Sequence, residues 1–135
     1  MSNIESDRTL LKHMFSTAVD SALPARSLAA CLPEPPVSGR ILVLGAGKAA
    51  GAMAAALEES WADHLDRIDG LVVTRYGHAT LTRQIRVVEA AHPIPDAAGR
   101  KAAADLLSIA ESAGPDDMVI CLISGGASSL LALPV

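Results

Sequence analysis

Apolar positions along the chain follow two rhythms. Between Ser6 and Ala22 they recur three and four apart, at Leu10, Leu11, Met14, Phe15, Ala18, Val19 and Ala22. That spacing predicts one amphipathic helix, with Ser6 or Asp7 as its N-cap. His13 lies among these positions and reads as a surface or edge histidine. From Arg40 onward the rhythm changes to short unbroken runs: Ile41 to Leu44, Gly70 to Thr74, Ile85 to Ala90 and Met118 to Ile123. The third alternates less cleanly than the others. Runs of this length without alternation predict strands buried on both faces of a parallel sheet. Helices are expected between them. One runs from about Gly47 to Trp61. The next runs from a cap at Asp96 to about Ala113, with Ala102, Leu106, Leu107 and Ile109 inward and Gly114-Pro115 as its stop. A last helical segment begins at Leu130-Leu131.

Strands alternating with helices give an α/β fold class: a doubly wound parallel sheet with helices on both faces, Rossmann-like. The expected organisation is an N-terminal helix over 6–22, a connector over 23–39 and an α/β core over 40–135. The connector holds Pro24, Pro33, Pro35 and Pro36 and is expected to contain no regular element. A short acidic link, Asp63 to Asp69, precedes the second strand.

Composition narrows the function. The chain has 135 residues, 50% of them hydrophobic but only 2% aromatic, so its core must be aliphatic and alanine-rich. A net charge of -4 and so few aromatic rings exclude a nucleic-acid footprint. No segment reaches the ~18 uninterrupted apolar residues of a membrane span, and the opening MSNIESDRTLLKHMF has no apolar core of signal-peptide length. Cys31 and Cys121 stand far apart with no CxxC partner, which predicts reduced thiols in a cytoplasmic protein and no metal site.

The chemistry-bearing stretches sit where the strands end. Ile41 to Leu44 stops at Gly45-Ala46-Gly47, and Lys48 follows in what is expected to be the first turn of a helix. The free N–H groups of such a turn point outward and favour an anion. A lysine there is poorly placed for helix stability, because the helix dipole already puts positive charge at that end. A functional reading makes Lys48 a clamp on a phosphoryl group or a substrate carboxylate. GAGKAAG is not a Walker loop, which needs glycine at Leu42 and a hydroxyl at Ala49. Nor is it GxGxxG, since its third glycine falls at Gly51, one place late, where a close helix–sheet contact is expected to explain it. Thr74 and Arg75 stand where a dinucleotide fold carries its acid, so only an NADP reading survives, with Arg75 on the 2′-phosphate.

The second turn is Ser124-Gly125-Gly126-Ala127-Ser128-Ser129, a glycine-bearing nest with added hydroxyls. Ser124 lacks the elbow glycine that a nucleophile needs at Leu122, so anion binding is the better reading. The third loop is His92-Pro93-Ile94-Pro95-Asp96. There His92 is a candidate base or a loop-packing residue, and Asp96 a helix cap or an active-site acid.

LVLGAGKAAGAMA, AAHPIPDAAG and LISGGASSLL, in this order and spacing, resemble the amino-terminal part of the glycerate 2-kinase family, with GLVVTRYGHA also fitting. Members of that family carry a carboxyl-terminal portion called MOFRL and are sometimes labelled hydroxypyruvate reductases. The resemblance implies phosphorylation of D-glycerate to 2-phosphoglycerate, with ATP as donor and Mg²⁺. It implies Lys48 as the catalytic lysine, Gly45 and Gly47 as the turn that seats it, and Ser124 to Ser129 as a phosphate- or substrate-binding loop. Family members are longer, with a second domain that closes the cleft. Hence the 135-residue chain is expected to be a fragment, inactive by itself. Two alternatives stand beside the kinase: an NAD(P)H-dependent hydroxypyruvate reductase and a non-catalytic anion-binding module.

Overall fold

The computed structural model describes residues 4–133; Met1 to Asn3 and Pro134-Val135 lie outside it. Four strands form one all-parallel sheet: β1 (Ile41–Ala46), β2 (Ile68–Arg75), β3 (Arg86–Ala90) and β4 (Met118–Ile123), in the order β3-β2-β1-β4. β1 and β2 are almost wholly buried, as unbroken apolar runs at the centre of a parallel sheet should be. Helix α3 (Ala50–Ser60) covers one face, packing on Ile41, Val43, Val72 and Leu122. Helix α4 (Ala97–Glu111) covers the other, over Ala46, Leu71, Val73 and Ala90. The doubly wound α/β class is therefore correct.

The first helix, α1 (Ile4–Ala22), starts before the expected caps, so Ser6 and Asp7 lie inside it. It has no buried residue: Leu11 is 65% and Phe15 72% exposed. Its apolar stripe is real, but within the described residues nothing packs over it. The connector is not wholly irregular. Pro24, with its φ preset, opens a one-turn helix, α2 (Pro24–Ser27), and a 3₁₀ turn follows at Ala29–Cys31. A second 3₁₀ turn, Ala62–Arg67, fills most of the acidic link, and β2 starts at Ile68.

Between β2 and β3 the chain returns without a helix. The segment after β2 crosses α3 instead. Gly51 leaves room for it: a Cβ there would come within 3.0 Å of the Thr80 hydroxyl, so the glycine serves this crossing and not a helix–sheet contact. Glu58 fastens the far end. It is 3% exposed, and its carboxylate accepts the N–H groups of Arg83, Gln84 and Ile85 at 2.5, 2.8 and 2.8 Å.

α4 ends at Glu111 with Ser112 as its C-cap, two residues before Gly114. Leu107, expected inward, is 50% exposed. It borders an apolar groove of about 330 Å³ whose walls include Leu44, Ala103, Cys121 and Ile123. β4 is an edge strand, and Val119 and Ile123 on its α4 side are 43% and 58% exposed. α5 (Ala127–Leu130) follows it. Cys31 and Cys121 are both free and exposed.

Candidate functional site

The chain goes from β1 outward through β2 to β3, then returns to lay β4 on the opposite side of β1. Ligands in open parallel sheets bind where the strand order reverses, beyond the carboxyl ends of the strands. Here that place lies between β1 and β4. Both glycine turns leave the sheet there, because β1 and β4 pair in register from Ile41 with Met118 to Ala46 with Ile123.

Four hydrogen bonds hold the turns, three of them from one turn to the other and one, to Val73, from the first turn to β2. Ser124 N–H donates to the Ala46 carbonyl, Gly47 N–H to Val73, and Lys48 N–H to Gly125, each at 3.0 Å. The fourth runs from Ala49 N–H to the Ser124 hydroxyl, also 3.0 Å. Gly47 permits this closeness: its φ is +129°, and a Cβ would fall 2.1 Å from the Ser124 hydroxyl oxygen. The outward-pointing N–H groups expected after Gly45-Ala46-Gly47 are thus already taken by the protein. Lys48 also sits in the turn before α3, not in its first turn, since the helix begins at Ala50. Gly45 is buried within β1. Ser124 places its hydroxyl on Ala49, while Ala127 N–H bonds back to the Ser124 carbonyl and the Ser129 hydroxyl to Gly126.

The groups left free are different ones. The Lys48 side chain is exposed, with its Cε in contact range of Gly125: a Cβ on that glycine would lie 3.8 Å away. No carboxylate pairs with its ammonium among the described residues. The N–H groups of Gly125 and Gly126 have no acceptor among those residues either. A cation and two donors at a switch point can bind an oxyanion. They match the oxygens of a phosphate chain. Among the described residues no three acidic, histidine or cysteine side chains come together as a group that could hold a metal ion.

The third loop joins the same place. His92, preceding a cis peptide at Pro93, is half-buried with its ring against Gly126. Asp96 proves to be the cap of α4, accepting Gly99 N–H at 2.9 Å on one oxygen and the Tyr76 hydroxyl at 2.8 Å on the other. Those bonds, the backbone one first, hold its pKa below the ordinary carboxylate value, and the same contact raises Tyr76. Arg75 ends β2 with its side chain exposed; its carbonyl accepts His78 N–H at 3.2 Å, but its guanidinium makes no hydrogen bond or ion pair among the described residues. Thr74 is fully buried, with its hydroxyl facing the Lys48 carbonyl at 3.5 Å. Sequence reasoning missed Tyr76, whose tie to Asp96 spans 20 residues.

The profile of a family described as a domain of unknown function, DUF4147, matches residues 10–135. This chain belongs to the DUF4147 family. Its relatives carry kinase and reductase names. A putative hydroxypyruvate reductase of Agrobacterium vitis is 48% identical over 98% of this chain and 30% of its own length. The glycerate 2-kinase of Pyrococcus horikoshii is 45% identical over 73% of the chain and 21% of its own length. Among solved structures, the glycerate kinase of Thermotoga maritima superposes with a TM-score of 0.79 at 31% identity, over 97% of this chain and 31% of that one. The resemblance read from the three glycine and proline motifs therefore holds. The chain spans about a third or less of the length of these DUF4147 relatives.

Proposed function

We propose that this chain contributes the Lys48 wall of a glycerate 2-kinase site, in which ATP phosphorylates the 2-hydroxyl of D-glycerate. One observation carries the reading: Lys48, pinned by its own N–H to Gly125, projects an unpaired ammonium beside the free N–H groups of Gly125 and Gly126. Phosphoryl transfer is catalysed chiefly by positioning and by positive charge on the phosphoryl oxygens, and this arrangement provides both. In the reaction the glycerate 2-hydroxyl oxygen forms a bond to the terminal phosphorus while the bond from that phosphorus to the ADP oxygen breaks, and the hydroxyl proton leaves to solvent. Lys48 holds charge on the transferring group, and Gly125 and Gly126 orient it. Mg²⁺ enters this reading with the nucleotide, and no step is assigned to it through residues of this chain.

A second reading rests on the Agrobacterium relative's name, hydroxypyruvate reductase. It is the weaker one. The N–H groups of Gly47, Lys48 and Ala49, which would meet a dinucleotide pyrophosphate, are engaged by Val73, Gly125 and Ser124.

The test joins this chain to the remaining portion of the Thermotoga glycerate kinase and measures ADP formation with D-glycerate, with and without Lys48→Ala. Glycerate-dependent turnover that falls at least a hundredfold in the variant supports the kinase. NADPH oxidation with hydroxypyruvate, and no ADP formed, replaces it with the reductase.

A further inference from the structure

Gly126 is required twice over. Its φ is +94°, which glycine adopts readily, but asparagine also tolerates that region. Space decides the matter: a Cβ at this position would stand 2.6 Å from Nε2 and 2.9 Å from Cδ2 of His92. The imidazole therefore occupies the volume of the side chain that residue 126 lacks, and the tip of the ring lies on the turn. At the neighbouring Gly125 the Lys48 Cε lies 3.8 Å from where a Cβ would be, an ordinary contact that leaves room for one. Two nitrogen-bearing side chains from different loops thus reach this glycine pair: Lys48 from β1–α3 lies beside Gly125, and His92 from β3–α4 fills the space at Gly126.

The loop that carries His92 is fixed from both ends. Tyr76 N–H donates to the Ala90 carbonyl at 3.2 Å, and Asp96 is held by Tyr76 and Gly99. Yet neither ring nitrogen of His92 has a hydrogen-bond partner among the described residues. A packing residue needs no ring nitrogens, and an aliphatic side chain would fill the same space without leaving two polar atoms unused. Both nitrogens reach solvent at the mouth of the turn, where a ligand can meet them.

We propose that His92 is a specificity-determining residue of the reaction above, its Nε2 contacting the small oxyanion that Lys48 draws to Gly125 and Gly126. This rests on the kinase-site reading. The oxyanion is either the carboxylate of the hydroxy acid or a phosphate of the nucleotide, and each source gives a different result below.

The test uses the 135-residue chain, with D-glycerate and ATP titrated separately while backbone amides and histidine ring nitrogens are followed by NMR. The expected result is movement of the Gly125 and Gly126 amides together with the His92 ring nitrogens, by D-glycerate if the carboxylate is the contact and by ATP if a phosphate is. His92→Ala then weakens binding of that ligand at least fivefold. His92→Gln, which keeps a donor on a side chain of similar reach, restores most of the loss. Glycine amides that move while the His92 ring does not, or binding by His92→Ala within twofold of wild type, overturn the proposal and leave the kinase site standing. If neither ligand moves Lys48, Gly125 or Gly126, either in this chain or in its fusion to the remaining portion of the Thermotoga enzyme, the kinase-site reading falls and the proposal falls with it. The wild-type ring signals decide the matter even if the alanine variant fails to fold.

Discussion

The hydroxyl of Ser124 accepts the backbone N–H of Ala49 at 3.0 Å, across 75 residues of sequence. It does for the approach to α3 what an N-cap does from within a chain, although it comes from the neighbouring strand. Ser124→Ala leaves that partly buried N–H without a partner and should lower stability by about 1–2 kcal/mol. The loss is read as a drop in urea midpoint, together with faster exchange of the Ala49 amide.

Gly47 belongs to the same contact. A methyl group there meets the Ser124 hydroxyl, and the φ of +129° is strained for any L side chain. Gly47→Ala should cost more than Ser124→Ala, about 2–4 kcal/mol. In the double variant the combined loss should be less than additive, because removing the hydroxyl relieves part of the clash. Equilibrium unfolding of the two single variants and the double variant checks this.

Glu58 is the other long-range anchor. Its carboxylate satisfies three successive N–H groups in the segment crossing α3. Glu58→Ala leaves them unpaired and should destabilise by about 2–4 kcal/mol. Glu58→Gln should recover only part of this, since one carboxylate oxygen becomes an NH₂ group facing donors. Hydrogen exchange should accelerate first at Arg83, Gln84 and Ile85.

At the amino ends of β1 and β4, Asp117 accepts from Arg40 Nη2 at 2.7 Å and from the N–H groups of Arg40 and Gly114 at 2.7 and 2.9 Å. The Arg40 guanidinium above all, then those N–H groups, hold its pKa well below the ordinary carboxylate value. A folded-state pKa below the unfolded one means stability that is complete above about pH 4 and lost as acid protonates the folded carboxylate. Asp117→Asn should lower the melting temperature at pH 7 and flatten its fall below pH 4. Melting curves from pH 2 to 7 test both halves.

β4 presents Val119 and Ile123 to solvent at the sheet edge, beside exposed Leu107. Unpaired strand edges with apolar faces promote association. Val119→Thr with Ile123→Thr should leave β4 in place while reducing concentration-dependent association, measured by sedimentation velocity.

Most of the sheet was legible in the sequence because burial on both faces leaves an unbroken apolar run, and glycine marks where each run must turn. Lys48, Ser124 to Ser129 and His92 were legible as neighbours for the same reason: parallel strands deliver all their carboxyl ends to one edge. Side-chain anchoring was not legible. Glu58 stands four residues after Ala54 on the apolar face of α3, and that position was the available signal, but nothing local names Arg83 to Ile85 as its partners. The reach of Ser124 to Ala49 was hidden likewise, so N–H groups that local rules leave free proved occupied. α1 shows the converse. Its period was correct, yet periodicity says which face is apolar and not what lies against it.

The β1–β4 register has a consequence for folding fidelity. Ala46 pairs with Ile123, and the next residue along β4 supplies both the Ala46 and the Ala49 hydrogen bonds. A one-residue slip of β4 would turn its inward residues outward and carry Ser124 away from both partners at once. Misaligned chains therefore lose core, cap and anion turn together. The pairing step proofreads the site: a molecule stable enough to persist already has Lys48 and Gly125 correctly placed.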